Sequence, residues 1–306
     1  MALISCIFLL FPFSARAQEA KSGEPQHVHL SFVPESQTIV PGKSFRVAVI
    51  QTIDPHWHTY WRNPGDSGTA MKISWTLPPG FRAEAMEWPV PDRVPAGPLV
   101  NFGYSGKAVF LQNFTAPKTL PSGPLTFTAD VELLVCRDIC IPEISRHSFT
   151  IGGEGGAVAD AALFAQAARA LPARVPVQAR YHEQGEDLVL RLESADSSVM
   201  NALRMGSADL FPEEWGVIDN PEKTRVTSDK NTITLLHRRG IRSLGEISIL
   251  RAVIAFPDGG GGRRGIEIEA SVDPDAAAGP GNAGEKSVEP EGGEVSAPSS
   301  ASSSST

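Results

Sequence analysis

The 306-residue chain holds only three cysteines and three tyrosines. One cysteine, Cys6, falls in an apolar N-terminal run over residues 2–13. That run has the length of a signal-peptide core and is followed by Ala15-Arg16-Ala17, a small-residue cleavage pattern. Residues 1–17 are therefore expected to be a signal peptide that is lost with Cys6, which makes the chain an exported, periplasmic protein. No later stretch approaches the roughly 20 apolar residues that a transmembrane helix needs. Positive charge is also in deficit: 27 Lys and Arg against 35 Asp and Glu give a net charge of −8, which argues against nucleic acid as a partner. There is no nucleophile elbow and no pair of carboxylates that can be placed in a cleft, so hydrolytic readings rank last. A glycine run at 259–262 suits a hairpin tip, because no helix follows it to offer an N-terminal dipole to phosphate. No cofactor, resident metal or small-molecule substrate is expected.

What remains is a pair of thiols, Cys136 and Cys140, in Val135-Cys136-Arg137-Asp138-Ile139-Cys140-Ile141-Pro142-Glu143. In an exported protein such a pair can be a structural staple, a metal site or a working dithiol/disulfide couple. Along a continuous strand the two Cα atoms would lie about 13 Å apart, and a disulfide spans no more than about 7 Å. The chain must bend sharply at Arg137-Asp138-Ile139 if the pair is to close. Residues 125–135 alternate, with Leu125, Phe127, Ala129, Val131, Leu133 and Val135 on one face. Thr126, Thr128, Asp130, Glu132 and Cys136 fall on the other, which places Cys136 at a strand end on its polar side. A staple closing so small a ring would remove only about 2 kcal/mol of unfolded-state entropy. Asp130 and Glu132 would raise the Cys136 pKa by like-charge repulsion, and Arg137 would lower it.

Between residues 26 and 150, seven short alternating runs (28–33, 45–52, 72–77, 83–88, 108–114, 125–135 and 144–150) are separated by Pro and Gly clusters. That spacing is the pattern of an antiparallel β-sandwich. A glycine-rich break at 152–156 precedes an Ala-rich helical pattern over 157–171, ended by Pro172. Seven further runs between 177 and 271 read as a second β block. It lacks cysteine and any catalytic cluster, and its plain role is to support the first. The tail from 274 is rich in Gly, Pro, Ala and Ser, has no aromatics, and is expected to be disordered. The fold class is all-β: two immunoglobulin-like sandwiches, at 25–152 and 176–273, joined by a linker with a short helix at 153–175.

Three segments carry a family resemblance. They are His56-Trp57-His58-Thr59-Tyr60-Trp61-Arg62-Asn63-Pro64-Gly65-Asp66-Ser67-Gly68, Asn101-Phe102-Gly103-Tyr104-Ser105-Gly106, and Glu132 to Glu143 with its two cysteines. Over roughly residues 25–152 the chain resembles the N-terminal periplasmic domain of the thiol:disulfide interchange protein DsbD, and more closely the α-domain of the ScsB proteins. The second block, with Leu210-Phe211-Pro212, is similar to the second sandwich of the ScsB type.

The resemblance implies a protein-disulfide reductase working in cell redox homeostasis and cytochrome c maturation. Its cysteine pair would take electrons from a membrane-embedded donor and pass them to thioredoxin-like periplasmic proteins. By the family pattern Cys140 is the sulfur attacked and exchanged, and Cys136 is the resolving thiol. An aromatic cap loop covers the pair in the family; Phe102 or Tyr104 fills that role here, with Gly103 and Gly106 giving the loop freedom. His56, His58, Tyr60, Trp61, Glu132 and Pro142 would support the site. The chain is expected to lack the membrane domain and the thioredoxin domain of the full family architecture, so it would take electrons from a separate protein or use the fold for something different. The classical DsbD domain has a wider cysteine spacing and an acidic pair in its cap, where this chain has Val100 and Asn101.

Two other classes stand beside the redox carrier. His56 and His58 with the cysteine pair could bind Cu(I), since thiolate and imidazole suit that ion. The plainer reading is that they frame the disulfide or pack at a strand end. An adaptor of two sandwiches with an inert disulfide is the third. His147 reads as a surface residue.

Overall fold

The computed structural model describes residues 26–152, 161–204, 207–229, 231–258, 260 and 262–277. The expected signal peptide, most of the expected tail and part of the linker lie outside them. The described residues up to Val272 form one compact unit.

The first sandwich contains β1 (Val28–Pro34), β2 (Ser44–Ile53), β3 (His58–Gly65), β4 (Lys72–Thr76) and β5 (Arg82–Glu87). Then come β6 (Asp92–Ala96), β7 (Leu99–Ser105), β8 (Lys107–Thr115), β9 (Leu125–Cys136) and β10 (Cys140–Ile151). One sheet has the order β1-β2-β8-β5; the other runs β10-β9-β3-β7-β6, with β4 paired to β9. Between them Phe114 and Phe127 are fully buried, their rings 5.5 Å apart, and Trp75 meets Phe114 edge-on at 4.9 Å. These aromatics supply the large apolar area that a sandwich core needs. β9 and β10 form a hairpin of twelve residue pairs in unbroken register from Leu125↔Ile151 to Cys136↔Cys140. The alternation read from 125–135 is the observed one, with the even-numbered positions turned outward.

Three strands escape the alternation pattern: β3, β6 and β7. β3 is buried at nearly every position, although it carries His58, Thr59, Arg62 and Asn63. A strand covered on both faces has no solvated side, and the period-2 signal vanishes with it.

Helix α1 (Ala161–Ala170) follows the undescribed residues 153–160. It buries Phe164 and Ala167 against Ala48, Ile50 and Leu111 of the β2–β8 face. The second sandwich contains β11 (Ala173–Arg174), β12 (Gln178–Gln184), β13 (Asp187–Glu193), α2 (Ser197–Arg204), β14 (Asp209–Pro212) and β15 (Arg225–Ser228). β16 (Thr232–Arg238), β17 (Ile249–Pro257) and β18 (Arg263–Val272) complete it. Its strands are hydrogen-bonded in one continuous order, β14-β17-β18-β12-β13-β16-β15, with β11 alongside β18. Leu190, Leu235, Val253 and Ala270 are among its fully buried residues, and α2 adds Val199, Met200 and Leu203.

The second sandwich packs directly on the first. Phe211 of β14 meets Phe102 at 4.9 Å and Trp61 at 6.2 Å, both edge-on. Arg62 Nη1 donates to Glu213 Oε1 at 2.7 Å, and Arg263 Nη1 donates to Asp92 Oδ1 at 2.5 Å. Arg93 donates to the carbonyl of Asn220 at 2.6 Å.

Candidate functional site

The hairpin turn between β9 and β10 brings the thiols together. Arg137, Asp138 and Ile139 form the three-residue bend, closed by Arg137 N–H donating to the Ile139 carbonyl at 3.0 Å. Cys136 and Cys140 become directly opposed residues with Cα atoms 4.1 Å apart, and they are joined as a disulfide. The bend required by the spacing is therefore a tight hairpin, and β10 begins at Cys140 itself.

The two sulfurs differ in environment. Cys136 is 2 % exposed, whereas Cys140 is exposed on the edge strand. Cys136 does lie on the outward face, as the alternation requires, but it is buried there. The reason is β3, which meets the end of β9 at His58↔Cys136 and directs His58 and Tyr60 to the same face. The Tyr60 hydroxyl donates to Cys136 Sγ at 2.7 Å and stands 3.7 Å from Cys140 Sγ. His58 meets the Tyr60 ring edge-on at 5.3 Å, and its Nε2 is buried without a hydrogen-bond partner.

Burial raises the Tyr60 pKa above the ordinary phenol value and lowers that of His58 below the ordinary imidazole value. Both groups are neutral near pH 7 as a result. The site therefore offers Cys136 a phenolic donor and no positive imidazolium.

The hairpin is braced from the other side. Trp57 stacks on His27 with ring centroids 3.7 Å apart, and the Arg137 guanidinium lies 5.2 Å above the Trp57 ring. His27 N–H donates to Glu143 Oε1 at 2.6 Å, and the His27 ring pairs with Asp54 at 3.0 Å.

The proposed supporting residues divide. Tyr60 reaches the disulfide, and His58 pairs in register with Cys136 and packs its ring on Tyr60. His56 is exposed in the preceding turn at φ 72°, a left-handed conformation that His tolerates better than most side chains. Trp61 is fully buried and faces Phe211 of the second sandwich, away from the sulfurs. Glu132 and Pro142 are exposed and border a 220 Å³ cavity with Thr69, Lys72, Leu134 and Ile144, next to the hairpin.

The expected cap is a correction. Phe102 and Tyr104 belong to β7 and point inward: Phe102 is fully buried against Phe211, and Tyr104 packs on Phe110 at 5.2 Å. The Tyr104 hydroxyl donates to the Pro89 carbonyl at 2.8 Å. Gly103 is no hinge, because a Cβ there would fall 1.9 Å from the Thr59 carbonyl oxygen. It is glycine so that β7 can lie close against β3. The aromatic over the sulfurs is Tyr60.

The charges expected to tune Cys136 are engaged elsewhere. Asp130 is held below its ordinary pKa by the Arg146 guanidinium, which it binds at 2.7 and 2.9 Å across the hairpin. Arg137 pairs with Asp138 at 2.9 Å. His147 is half-buried beside Phe32 and bonds Ser145 at 2.8 Å. Among the described residues no group of three or more His, Cys, Asp or Glu is placed to hold a metal ion. None of their helices is long and apolar enough to cross a membrane. One contributor had no signal in the sequence, His27, which lies far from the hairpin along the chain; Gly68, at the end of the first family-like segment, packs its backbone on the Tyr60 ring.

Residues 29–151 match the family model described as thiol:disulfide interchange protein DsbD, N-terminal. Among solved structures, the N-terminal periplasmic domain of ScsB from Proteus mirabilis is similar in fold. Its TM-score is 0.55 at 17% identity, with 81% of this chain and 94% of that one covered. The Actinomyces fimbrial adhesin FimA aligns over 81% of this chain and 97% of its own at 15% identity, with a TM-score of 0.16, too low to indicate a shared fold. No curated protein sequence gives a significant match.

Proposed function

We propose, from the premise that residues 29–151 form a domain of the DsbD N-terminal type, that this chain is a periplasmic thiol:disulfide exchange protein. It passes two electrons through Cys136 and Cys140 to thioredoxin-like partners. The observation that carries the reading is the asymmetry of the bond: one sulfur is exposed, and the other is buried under a hydroxyl donor.

Exchange needs a thiolate to approach one sulfur in line while the other leaves. Cys140 is the accessible one. In the charging step a donor thiolate attacks Cys140 Sγ, the Sγ–Sγ bond breaks, and Cys136 departs as a thiolate that accepts the Tyr60 hydrogen bond. A second donor thiol, as thiolate, then resolves the mixed disulfide; the donor leaves as its own disulfide, and Cys140 takes up a proton. In the discharging step the Cys140 thiolate attacks the partner's disulfide, and one partner sulfur leaves as a thiol. Cys136 then attacks Cys140 Sγ, restoring the disulfide and releasing the second partner thiol. Each half-reaction transfers two electrons; the Cys140 proton is returned to solvent before discharge, and each departing partner sulfur takes its proton from solvent. A hydrogen bond to a charged group contributes about 1.5–3 kcal/mol, so Tyr60 favours cleavage with Cys136 as the leaving group.

Redox titration against a glutathione buffer tests the reading. An exchanging pair gives a potential above about −300 mV, and a potential below it identifies an inert staple. A copper module would instead bind Cu(I) stoichiometrically in the reduced form.

A further inference from the structure

The second sandwich, which carries no cysteine, reaches the disulfide indirectly. β3 runs from one to the other: His58 and Tyr60 face the sulfurs, and Asn63 Nδ2 donates to the carbonyls of Pro212 at 2.8 Å and Glu214 at 3.2 Å. The chain then turns at Gly65 (φ 82°), where a Cβ would meet the Val100 carbonyl oxygen at 2.6 Å. The loop that follows, 66–68, lies on Tyr60. At Gly68 (φ 101°) a Cβ would fall 2.1 Å from Cε1 of the Tyr60 ring, so bare backbone covers the phenol.

This loop is fixed at two points. Ser67 donates through its N–H and its hydroxyl to Asn101 Oδ1 at 3.1 and 3.0 Å. Asp66 accepts from Val100 N–H at 2.7 Å with one oxygen and from Asn220 Nδ2 at 2.8 Å with the other. Asn220 is 6 % exposed and belongs to the second sandwich, where Arg93 binds its carbonyl.

We propose that Asn220 and Asp66 are positioning residues through which the second sandwich presses the 66–68 loop onto Tyr60 and keeps its hydroxyl on the Cys136 sulfur. A carboxylate oxygen left without its amide donor in this half-buried place recruits water, and the loop lifts. The phenol then loses the wall that fixes its ring. The inference deepens the exchange reading by giving the second sandwich a part in it. It does not need turnover to be tested, because the hydrogen bond from Tyr60 also favours the Cys136 thiolate over the thiol.

The test is the pKa of Cys136 in full-length Cys140→Ala protein, read from thiolate absorbance across a pH titration. Tyr60→Phe is expected to lower the thiolate fraction at fixed pH about tenfold. Asn220→Ala is expected to lower it at least threefold in the same direction, and to add nothing in a Tyr60→Phe background. Asn220→Ser serves as the milder variant if the alanine protein does not fold. Arg263→Ala, which removes the interface contact to Asp92 and leaves the hydrogen bonds of Asp66, Ser67 and Asn220 in place, should destabilise the protein and leave the Cys136 titration unmoved. A folded Asn220 variant with an unchanged Cys136 titration would overturn the proposal, as would an equal shift persisting without the Tyr60 hydroxyl. A Tyr60→Phe protein that titrates as wild type would overturn it too. A wild-type potential below about −300 mV would defeat the exchange reading and leave this coupling standing.

Discussion

The hydroxyl of Tyr60 donates to the buried sulfur of Cys136 at 2.7 Å and stands a full ångström farther, at 3.7 Å, from the exposed sulfur of Cys140. Sulfur in a disulfide is a weak acceptor and thiolate a stronger one, so this hydrogen bond strengthens as the bond between the sulfurs breaks. Because burial holds the phenol in its protonated form, the donor persists through the pH range in which thiolates form. The two sulfurs thus differ both in exposure and in their distance from one hydroxyl donor.

The exposed thiol should react first. In the reduced protein, iodoacetamide is expected to label Cys140 at least tenfold faster than Cys136, as read by mass spectrometry of quenched samples. Correspondingly, a Cys136→Ala protein should trap a mixed disulfide with a thioredoxin-like partner through Cys140, and Cys140→Ala should trap little. Equal trapping by the two variants would refute the division of roles.

Tyr60→Phe removes the donor and keeps the ring. Reduction of the disulfide by a small thiol should slow about tenfold, equivalent to about 1.4 kcal/mol of lost stabilisation of the departing Cys136 thiolate. Stopped-flow fluorescence against dithiothreitol measures it, and an unchanged rate would rule out the donor role.

Phe102→Ala should act on stability. The side chain is fully buried against Phe211 at the junction of the two sandwiches, and truncating a buried phenylalanine costs about 3–5 kcal/mol. Urea unfolding should register that loss. Provided the protein remains folded, its disulfide should meet glutathione within about twofold of the wild-type rate. A tenfold faster reaction would restore Phe102 as a cap.

Acidification should destabilise the protein before its carboxylates titrate. Burial lowers the pKa of His58, of His147 and of His237 in β16 below 6.5, so between that value and their folded pKa values the unfolded chain binds more protons. Their contribution is complete above about pH 6.5 and is lost as pH falls below it. The melting temperature should therefore drop between pH 7.5 and pH 5.5. His237→Gln should flatten that slope; a parallel slope in the variant would show that the effect lies elsewhere.

The sequence by itself determined the strand that leads into the cysteine pair, the bend that closes it and the two-sandwich architecture. A strand with one buried and one solvated face writes its period of two directly into the chain, as residues 125–135 do. The three-residue spacing of the cysteines then demanded a bend that a hairpin supplies. What decides the chemistry was not written that way. β3 and β7 are buried on both faces, so their residues follow no period, and the aromatic-rich segments around Tyr60 and Phe102 read alike. Only the tertiary structure shows that Tyr60 turns to the sulfurs, and that Phe102, Trp61, Asn63 and Asp66 turn to the second sandwich. That choice depends on the register of β3 against β9 and on a partner surface more than a hundred residues away, |i−j| being 154 for Asp66 and Asn220. Contacts of that range are fixed by packing, and local sequence carries no record of them.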